Sequence, residues 1–234
     1  MRVFHTEPDY KNPSKFLPQH PCRVQISGPS GSGKTNWLLN VLLDKDQPYD
    51  EIIVFYTLSQ PKYKLLKKQS KVPVSFYEGI PENEAGDKIM AHLEANNKAQ
   101  KQTCLVFDDL QAQLTTSKWA SALATGGVHH LNLSVYTLLQ QVFVNRTQRL
   151  QTDWLVLFAF ESDKTAVMSL ARQLMPQNPN LIMGMYAQAT EARPHGWFGI
   201  DLKAAQRGEP LLKYRDASFS RVFDPSLVKT ASAQ

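Results

Sequence analysis

Apolar and polar residues alternate along the chain in blocks that predict strands and helices in turn. Continuous apolar runs such as Ile52–Phe55 and Trp154–Phe160 fit strands that are buried on both faces of a sheet. Other segments, such as Lys164–Leu174, repeat their apolar residues at the spacing of a helix with one buried face. Strands that alternate with helices over this length indicate an α/β fold with a mainly parallel sheet and right-handed crossovers.

The pattern gives approximate bounds for each element. The predicted strands are Cys22–Ser27, Glu51–Tyr56, Val74–Tyr77, Thr103–Phe107, Ser134–Leu139 and Asp153–Phe160, and two tail segments, Gly196–Leu202 and Leu211–Tyr214, could pair as further strands. The predicted helices are Lys34–Asp44, Lys62–Gln69, Glu82–Asn97, Ser117–Leu123 with Ser117 as its N-cap, and Lys164–Leu174. Residues 1–21 are polar and rich in proline, which predicts an extended N-terminal arm. Residues 22–180 are interpreted as the core domain, and residues 181–234 as a C-terminal extension that packs on it.

The composition is that of an ordinary globular protein, with 42% hydrophobic and 20% charged residues. No apolar run approaches the ~20 residues that a membrane span needs, and the N-terminus lacks the apolar stretch of a signal peptide. We therefore expect an intracellular protein that is not secreted. Cys22 and Cys104 stand at the starts of predicted strands, which favours buried, reduced thiols. The net charge of +5 permits contact with nucleic acid without requiring it.

A glycine-rich motif links the first predicted strand to the first predicted helix. Its residues are Gly28, Pro29, Ser30, Gly31, Ser32, Gly33, Lys34 and Thr35, a complete match to G-x-x-x-x-G-K-[ST]. The glycines let successive backbone N–H groups point at phosphate oxygens, and the new helix adds the positive end of its dipole. Lys34 is expected to reach the β- and γ-phosphates, and the Thr35 hydroxyl to bind Mg²⁺. The motif predicts a P-loop nucleoside triphosphatase.

Two aspartates follow the buried strand Thr103–Phe107. Asp108 is expected to hold Mg²⁺ through its water shell, and Asp109 to act as general base for the attacking water. An isolated aspartate pair also fits a helix cap or a turn, and Asp109 is one methylene shorter than the glutamate that usually serves as the base. Together with the phosphate loop, the pair predicts a hydrolytic site.

Two further segments carry a resemblance to a known family. In the first, a His-His-Leu-Asn stretch at residues 129–132 leads into an apolar strand that ends at Gln140; in the second, Arg146 precedes the strand that ends at Phe158. This succession, over about residues 22–175, resembles the poxvirus-type genome-packaging ATPases, a branch of the FtsK/HerA superfamily of P-loop ATPases. The resemblance implies a three-layer sandwich of the RecA-like, additional-strand kind, with a mainly parallel central sheet and a small C-terminal strand extension.

The resemblance also assigns roles to residues. Gln140 corresponds to the strand-end glutamine that senses the γ-phosphate, with Gln141 as the alternative if the register is shifted by one residue. Arg146 corresponds to an arginine that in a ring enters the neighbouring subunit's site and neutralises transition-state charge, and Arg149 competes for that role. The predicted catalytic set is thus Lys34, Asp109, Gln140 and Arg146, with Thr35 and Asp108 as the metal ligands.

The sequence departs from the family pattern in two places. Asp109 replaces the glutamate of the wider superfamily, and Gly126-Gly127-Val128 stands where a small polar or basic residue usually precedes the histidine pair. For His129 and His130 themselves a role at a helix end or core edge is favoured over catalysis.

The function that the resemblance implies is an ATP-hydrolysing motor that drives double-stranded viral DNA into a preformed capsid. The motor is expected to work as a homo-oligomeric ring, a hexamer, and to contact capsid or portal-vertex proteins at the virus assembly site in the host cell and in the virion. Four alternatives stay open: a nucleotide kinase, a small-molecule kinase, a nucleotide-switched capsid-assembly scaffold without motor activity, and a ring helicase. The short connection from Gln141 to Thr152 argues against the arginine-rich lid of a kinase.

The DNA contacts of such a motor are expected to be basic residues that bind phosphates without reading sequence. The densest basic cluster consists of Lys62, Lys64, Lys67, Lys68 and Lys71. A charge run of this kind also fits a solvated helix face. Arg193, His195 and Lys203 are alternative DNA contacts.

Overall fold

The structure, a computed structural model, describes residues 18–119, 123, 128–142, 150–191, 194–203, 206 and 213–215. Its strands are β1 (Arg23–Ser27), β2 (Glu51–Tyr56), β3 (Val74–Glu78), β4 (Thr103–Asp108), β5 (Leu133–Leu139), β6 (Trp154–Phe158), β7 (Trp197–Asp201) and β8 (Lys213–Arg215). Its helices are α1 (Lys34–Leu42), α2 (Pro61–Gln69), α3 (Asn83–Lys98), α4 (Gln111–Thr116), α5 (Val128–His130), α6 (Lys164–Leu174) and α7 (Pro179–Glu191).

The strands form one eight-stranded sheet in the order β3-β2-β4-β5-β1-β6-β7-β8. The six strands from β3 to β6 are mutually parallel, whereas β7 runs antiparallel to β6 and β8 antiparallel to β7. The predicted α/β fold with a mainly parallel sheet is therefore confirmed. The antiparallel strands at one edge are the tail segments that the sequence offered as further strands.

Helices cover both faces of the sheet. Alternate side chains of each strand point to opposite faces, so a strand such as β2 contributes apolar residues to both helical layers. On one face Val54 lies in a buried cluster with Leu38 of α1, and Leu66 of α2 belongs to the same cluster. On the other face Phe55 packs in a cluster that contains Leu93 of α3. Further along that face, α6 and α7 bury their apolar sides against β6 and β7. This arrangement confirms the predicted three-layer sandwich.

The register of the parallel strands brings three chain segments to one edge of the sheet. Ser27 of β1 is paired with Leu139 of β5, and Asp108 of β4 with Leu138 of β5. Since β5 lies between β4 and β1, the residues that follow these three strands emerge side by side. In an open parallel sheet this carboxyl edge is where ligands bind.

Two helices differ from the sequence-based prediction. Helix α4 was not predicted, and Ser117 is the residue that follows it. Residues 118 and 119 are helical, which agrees with the start of the helix predicted over residues 117–123 with Ser117 as its N-cap. Residues 120–122 of that predicted helix lie outside the described residues. Helix α7 was also missed, although its buried residues recur at helical spacing: Leu181, Ile182, Met185, Tyr186 and Ala189. The division of the chain at residues 21 and 180 stays a prediction, and residues 1–17 of the arm lie outside the described part.

Two features that the composition raised, the cysteines and membrane-spanning helices, can be examined in the structure. Cys22 and Cys104 are both buried and free, as predicted, and burial raises the pKa of the Cys22 thiol to about 12. Among the residues that the structure describes, no helix combines the length and the apolar content that crossing a membrane requires.

Candidate nucleotide-binding and hydrolysis site

The glycine-rich motif forms a loop between β1 and α1 at the carboxyl edge of the sheet. The backbone N–H of Gly28 donates to the carbonyl oxygen of Leu139 at 3.0 Å, which ties the start of the loop to the end of β5. Gly31 and Gly33 have φ angles of +75° and +109°, in the left-handed region that glycine adopts at little cost. Helix α1 begins at Lys34, so its free N–H groups face into the loop and favour an anion.

Lys34 lies across this loop. Its Nζ donates to the carbonyl oxygens of Gly28 at 2.6 Å and Pro29 at 2.9 Å. Burial lowers the pKa of Lys34, and the charges of Asp108 and Asp109 oppose that shift. The ammonium group is therefore held close to both aspartates, with the loop carbonyls in the place of the phosphate oxygens it is expected to bind.

The side chains of the loop fit a nucleotide phosphate. Ser32 Oγ is buried and has no hydrogen-bond partner within the described part of the chain, and a buried hydroxyl of this kind fits an incoming phosphate oxygen. Thr35, buried at the start of α1, offers a hydroxyl oxygen. No group of three or more His, Cys, Asp or Glu side chains able to hold a metal occurs among the described residues. A Mg²⁺ ion here needs oxygens from the nucleotide and water as well, which is its usual preference.

Asp108 ends β4 and is buried. Its Oδ2 accepts a hydrogen bond from the Tyr63 hydroxyl and one from Gln60 Nε2 at 3.1 Å. The pKa of Asp108 is raised, mainly because the carboxylate is buried and also because Asp109 is near. The hydrogen bond from Tyr63 and the charge of Lys34 oppose this rise in pKa. Both hydrogen bonds in the described residues go to Oδ2, so Oδ1 remains open to a water of a metal shell.

Asp109 turns away from the strand and meets Gln140. Its φ of +58° is rare for a residue with a side chain, and its backbone is fixed by Thr57 Oγ1, which donates to its carbonyl oxygen at 2.7 Å. Gln140 Nε2 lies 2.9 Å from both carboxylate oxygens of Asp109. The structure thus brings Gln140 to the carboxylate, and the catalytic roles of both residues stay predictions.

The sequence reasoning missed Tyr63 and Gln60 at this site. Their bonds to Asp108 span 45 and 48 residues of chain, and no local pattern reports a contact of that range. In the sequence, this segment was notable only for its lysines, which were considered as DNA contacts.

His195 was offered as a candidate DNA contact, but it lies against the phosphate loop. Its Nδ1 is 3.0 Å from the carbonyl oxygen of Ser32, and its φ is +58°. A Cβ at Gly33 would lie 3.3 Å from the Cβ of His195 and 3.3 Å from Cε1 of Phe158. His195, which follows helix α7, and Phe158, which ends strand β6, thus both lie against the loop.

Several predicted residues fall elsewhere. Arg146, Arg149 and Arg193 lie outside the described residues, as does the side chain of His129. His130 is exposed, and its carbonyl oxygen accepts a hydrogen bond from Asn97 Nδ2 at 2.8 Å. The role of Arg146 therefore stays a prediction.

A methyl group at Gly28 is expected to disrupt the loop. It would lie 2.6 Å from Ser32 Oγ and 2.7 Å from Phe158 Cβ, and overpacking of this kind costs about 1–3 kcal/mol. We expect Gly28→Ala to lower the free energy of unfolding, measured by denaturant titration, and to weaken nucleotide binding. Gly184→Ala is the control, because nothing lies within 4 Å of that methyl group and alanine is favoured inside a helix by up to about 1 kcal/mol. Equal stability of the two variants would contradict the loop geometry.

Solved structures of two viral proteins resemble this fold. The DNA-packaging ATPase B204 of Sulfolobus turreted icosahedral virus has a TM-score of 0.57 and 15% identity, over 83% of this chain and 97% of that chain. The genome packaging NTPase B204 of Sulfolobus turreted icosahedral virus 2, in complex with AMPPCP, has a TM-score of 0.57 and 14% identity, over 83% and 97%. Its complex with ATP-gammaS gives 0.55 and 13%, over 84% and 98%. At these identities the likeness shows the fold alone.

The sequence comparison is more specific about ancestry. Among curated protein sequences none matches the chain significantly. The family model described as Poxvirus A32 protein, however, matches residues 10–193, which is well over half of the chain. The matched range contains the phosphate loop, both aspartates and the strand that ends at Gln140. The chain belongs to the poxvirus A32 protein family.

Proposed function

We propose that this chain is the ATP-hydrolysing motor that moves double-stranded viral DNA into a preformed capsid. The observation that carries the proposal is the pairing of Asp109 and Gln140, 2.9 Å apart, at the sheet edge that also carries the phosphate loop and Asp108. Membership of the poxvirus A32 family supports it. Nucleoside triphosphate as the ligand is supported by the AMPPCP and ATP-gammaS complexes of the B204 packaging NTPase, which has the same fold.

Mg²⁺ belongs to this proposal. The Thr35 hydroxyl and Asp108 Oδ1 are the groups that would hold it, the latter through water. When bound, the ion neutralises charge on the β- and γ-phosphates and so favours departure of the leaving group.

The chain's own residues supply the remaining chemistry. Asp109 takes a proton from a water molecule whose oxygen attacks the γ-phosphorus, and the bond from that phosphorus to the β,γ-bridging oxygen breaks to release ADP and phosphate. Gln140 orients the Asp109 carboxylate and the water. Lys34 exchanges its bonds with Gly28 and Pro29 for the phosphate oxygens, where its charge stabilises the transition state.

The active assembly is a homo-oligomeric ring, a hexamer. Arg146 from one subunit completes the site of the next, where a trans-acting arginine is worth about 10³–10⁵ in rate. Capsid or portal-vertex proteins are the partners, and the virus assembly site in the host cell is the place of action, with the ring carried into the virion.

The test is phosphate release by the purified protein with Mg²⁺ and ATP, measured with and without linear double-stranded DNA under conditions that permit ring assembly. We expect hydrolysis that DNA accelerates, with water as the phosphoryl acceptor. The same rate with and without DNA would overturn the motor. Transfer of labelled γ-phosphate to a nucleotide or small molecule would indicate a kinase instead.

A further inference from the structure

Helix α2 connects the nucleotide site with a basic surface. Gln60 is the N-cap residue of the helix, but its side chain forms no capping bond, and its amide donates to Asp108 instead. Tyr63, in the first turn, donates its hydroxyl to the same carboxylate oxygen. The Tyr63 ring is buried and packs against Tyr56 and Phe76, with centroid distances of 5.4 and 5.5 Å. The position of this hydroxyl is therefore set by the position of the helix.

Another face of α2 carries lysines. Lys64, Lys67 and Lys68 are exposed and lie three and four positions apart, so their side chains are neighbours on the helix surface, and exposed Lys71 follows the helix end. None of the four forms an ion pair with a carboxylate of the described residues. The helix itself has no acidic residue. Within the described part of the chain, no ion pair therefore offsets the positive charge of this face.

The size of this face suits one strand of a duplex. Lys64 and Lys68 lie about 6 Å apart along the axis of the helix, and each DNA strand carries a phosphate about every 3.4 Å of its helix axis. The lysines of the helix therefore span about two phosphates of one strand. Lysine ammonium groups bind phosphate as point charges and do not read base sequence.

We propose that α2 is the element that couples DNA to ATP hydrolysis: its lysine face binds DNA phosphates, and Tyr63 and Gln60 transmit the resulting shift of the helix to Asp108 as positioning residues. This inference rests on the function proposed above. Because Lys64, Lys67 and Lys68 share one short helix with Tyr63, DNA that shifts these lysines also shifts Tyr63. Linkage makes the effect reciprocal. The factor by which bound DNA changes nucleotide affinity equals the factor by which bound nucleotide changes DNA affinity.

The first experiment removes the lysine face. The variant carries Lys64→Ala, Lys67→Ala, Lys68→Ala and Lys71→Ala together, and DNA binding is measured by fluorescence anisotropy over a range of salt concentrations. We expect weaker binding and a slope of log K against log salt that becomes shallower by about 0.9 for each phosphate that the variant no longer neutralises. The matched control replaces four other exposed lysines by alanine: Lys88, Lys98, Lys101 and Lys118. Equal weakening of DNA binding in both variants would overturn the assignment of the site to α2.

The second experiment tests the transmission. Tyr63→Phe keeps the ring and removes the hydroxyl, and Tyr77→Phe on β3 is the control because Tyr77 is exposed. We expect Tyr63→Phe to bind DNA as the wild type does without nucleotide, but to lose the change in DNA affinity that AMPPCP causes. The stimulation of kcat by DNA is expected to be lost in this variant. Gln60→Ala is expected to act in the same direction.

The outcomes separate this inference from the proposed function. If DNA does not change the rate of ATP hydrolysis by the wild-type protein, the proposed motor function itself is refuted. If DNA stimulates hydrolysis in the wild type and to the same extent in Tyr63→Phe and Gln60→Ala, transmission through Asp108 is refuted. The proposed motor function is then unaffected. Loss of stimulation in Tyr63→Phe, with unchanged melting temperature and unchanged DNA binding, supports the coupling.

Discussion

Replacement of Lys34 by alanine is expected to lower the rate of ATP hydrolysis by about two to three orders of magnitude or more. The ammonium group of Lys34 donates to two carbonyl oxygens of the phosphate loop at 2.6 and 2.9 Å, and we predict that it neutralises the phosphoryl oxygens when a nucleotide binds. Loss of one such electrostatic group from an enclosed site costs about 10²–10³ in kcat. Because the same group is predicted to bind the ground-state phosphates, ATP affinity is expected to fall as well. Steady-state phosphate release and a titration with AMPPCP measure the two effects.

The control for this variant is Lys45→Ala, since Lys45 follows α1 and is exposed. It is expected to hydrolyse ATP at the wild-type rate. Undiminished hydrolysis in Lys34→Ala would show that the phosphate loop is not the catalytic nucleotide site.

Asp109→Asn is expected to separate binding from chemistry. Asparagine has the shape of aspartate and can still accept a hydrogen bond from Gln140 Nε2, but it cannot accept a proton from water. General base catalysis contributes about 10²–10⁴ in rate, so kcat is expected to fall by that factor. AMPPCP affinity is expected to stay close to that of the wild type, because Asp109 is not part of the phosphate loop. Single-turnover hydrolysis and equilibrium binding measure the two quantities.

Asp46→Asn serves as the control for the loss of one negative charge, because Asp46 is exposed in the turn after α1. A wild-type kcat in Asp109→Asn would contradict the assignment of Asp109 as the base. The effect of Gln140→Ala, which leaves the carboxylate but removes its partner, then shows whether the pair acts as a unit.

Much of the fold could be predicted because its signals are local. The strand Glu51–Tyr56 and the helix Lys164–Leu174 have the bounds that the apolar pattern gave, and the buried strand predicted over Thr103–Phe107 is β4, all of whose residues are buried. Helix α7 was missed although its apolar spacing is present, because the tail was interpreted through its two strands. Helix α4 contains only one buried residue, Leu114, so it offers no repeating pattern.

The candidate site likewise contains residues that local sequence signals predict and residues that they do not. The phosphate loop and the two aspartates follow predicted strands, and the parallel register then brings them to the same edge of the sheet as Gln140. The family predicted from the residues around Gln140 and Arg146 is confirmed by the match to the poxvirus A32 family. Tyr63, Gln60 and His195 could not be found, because each reaches the site from a distant part of the chain and belongs to no spacing motif.

The bonds of Lys34 to its own loop give the site a threshold for anions. An anion that binds Lys34 must exchange partners with two carbonyl groups that already accept from the ammonium. Chloride brings a single negative charge to this exchange, whereas a triphosphate chain brings several anionic oxygens at once. We therefore expect competition from the carbonyl groups of the protein itself to favour polyanions over small anions at this loop.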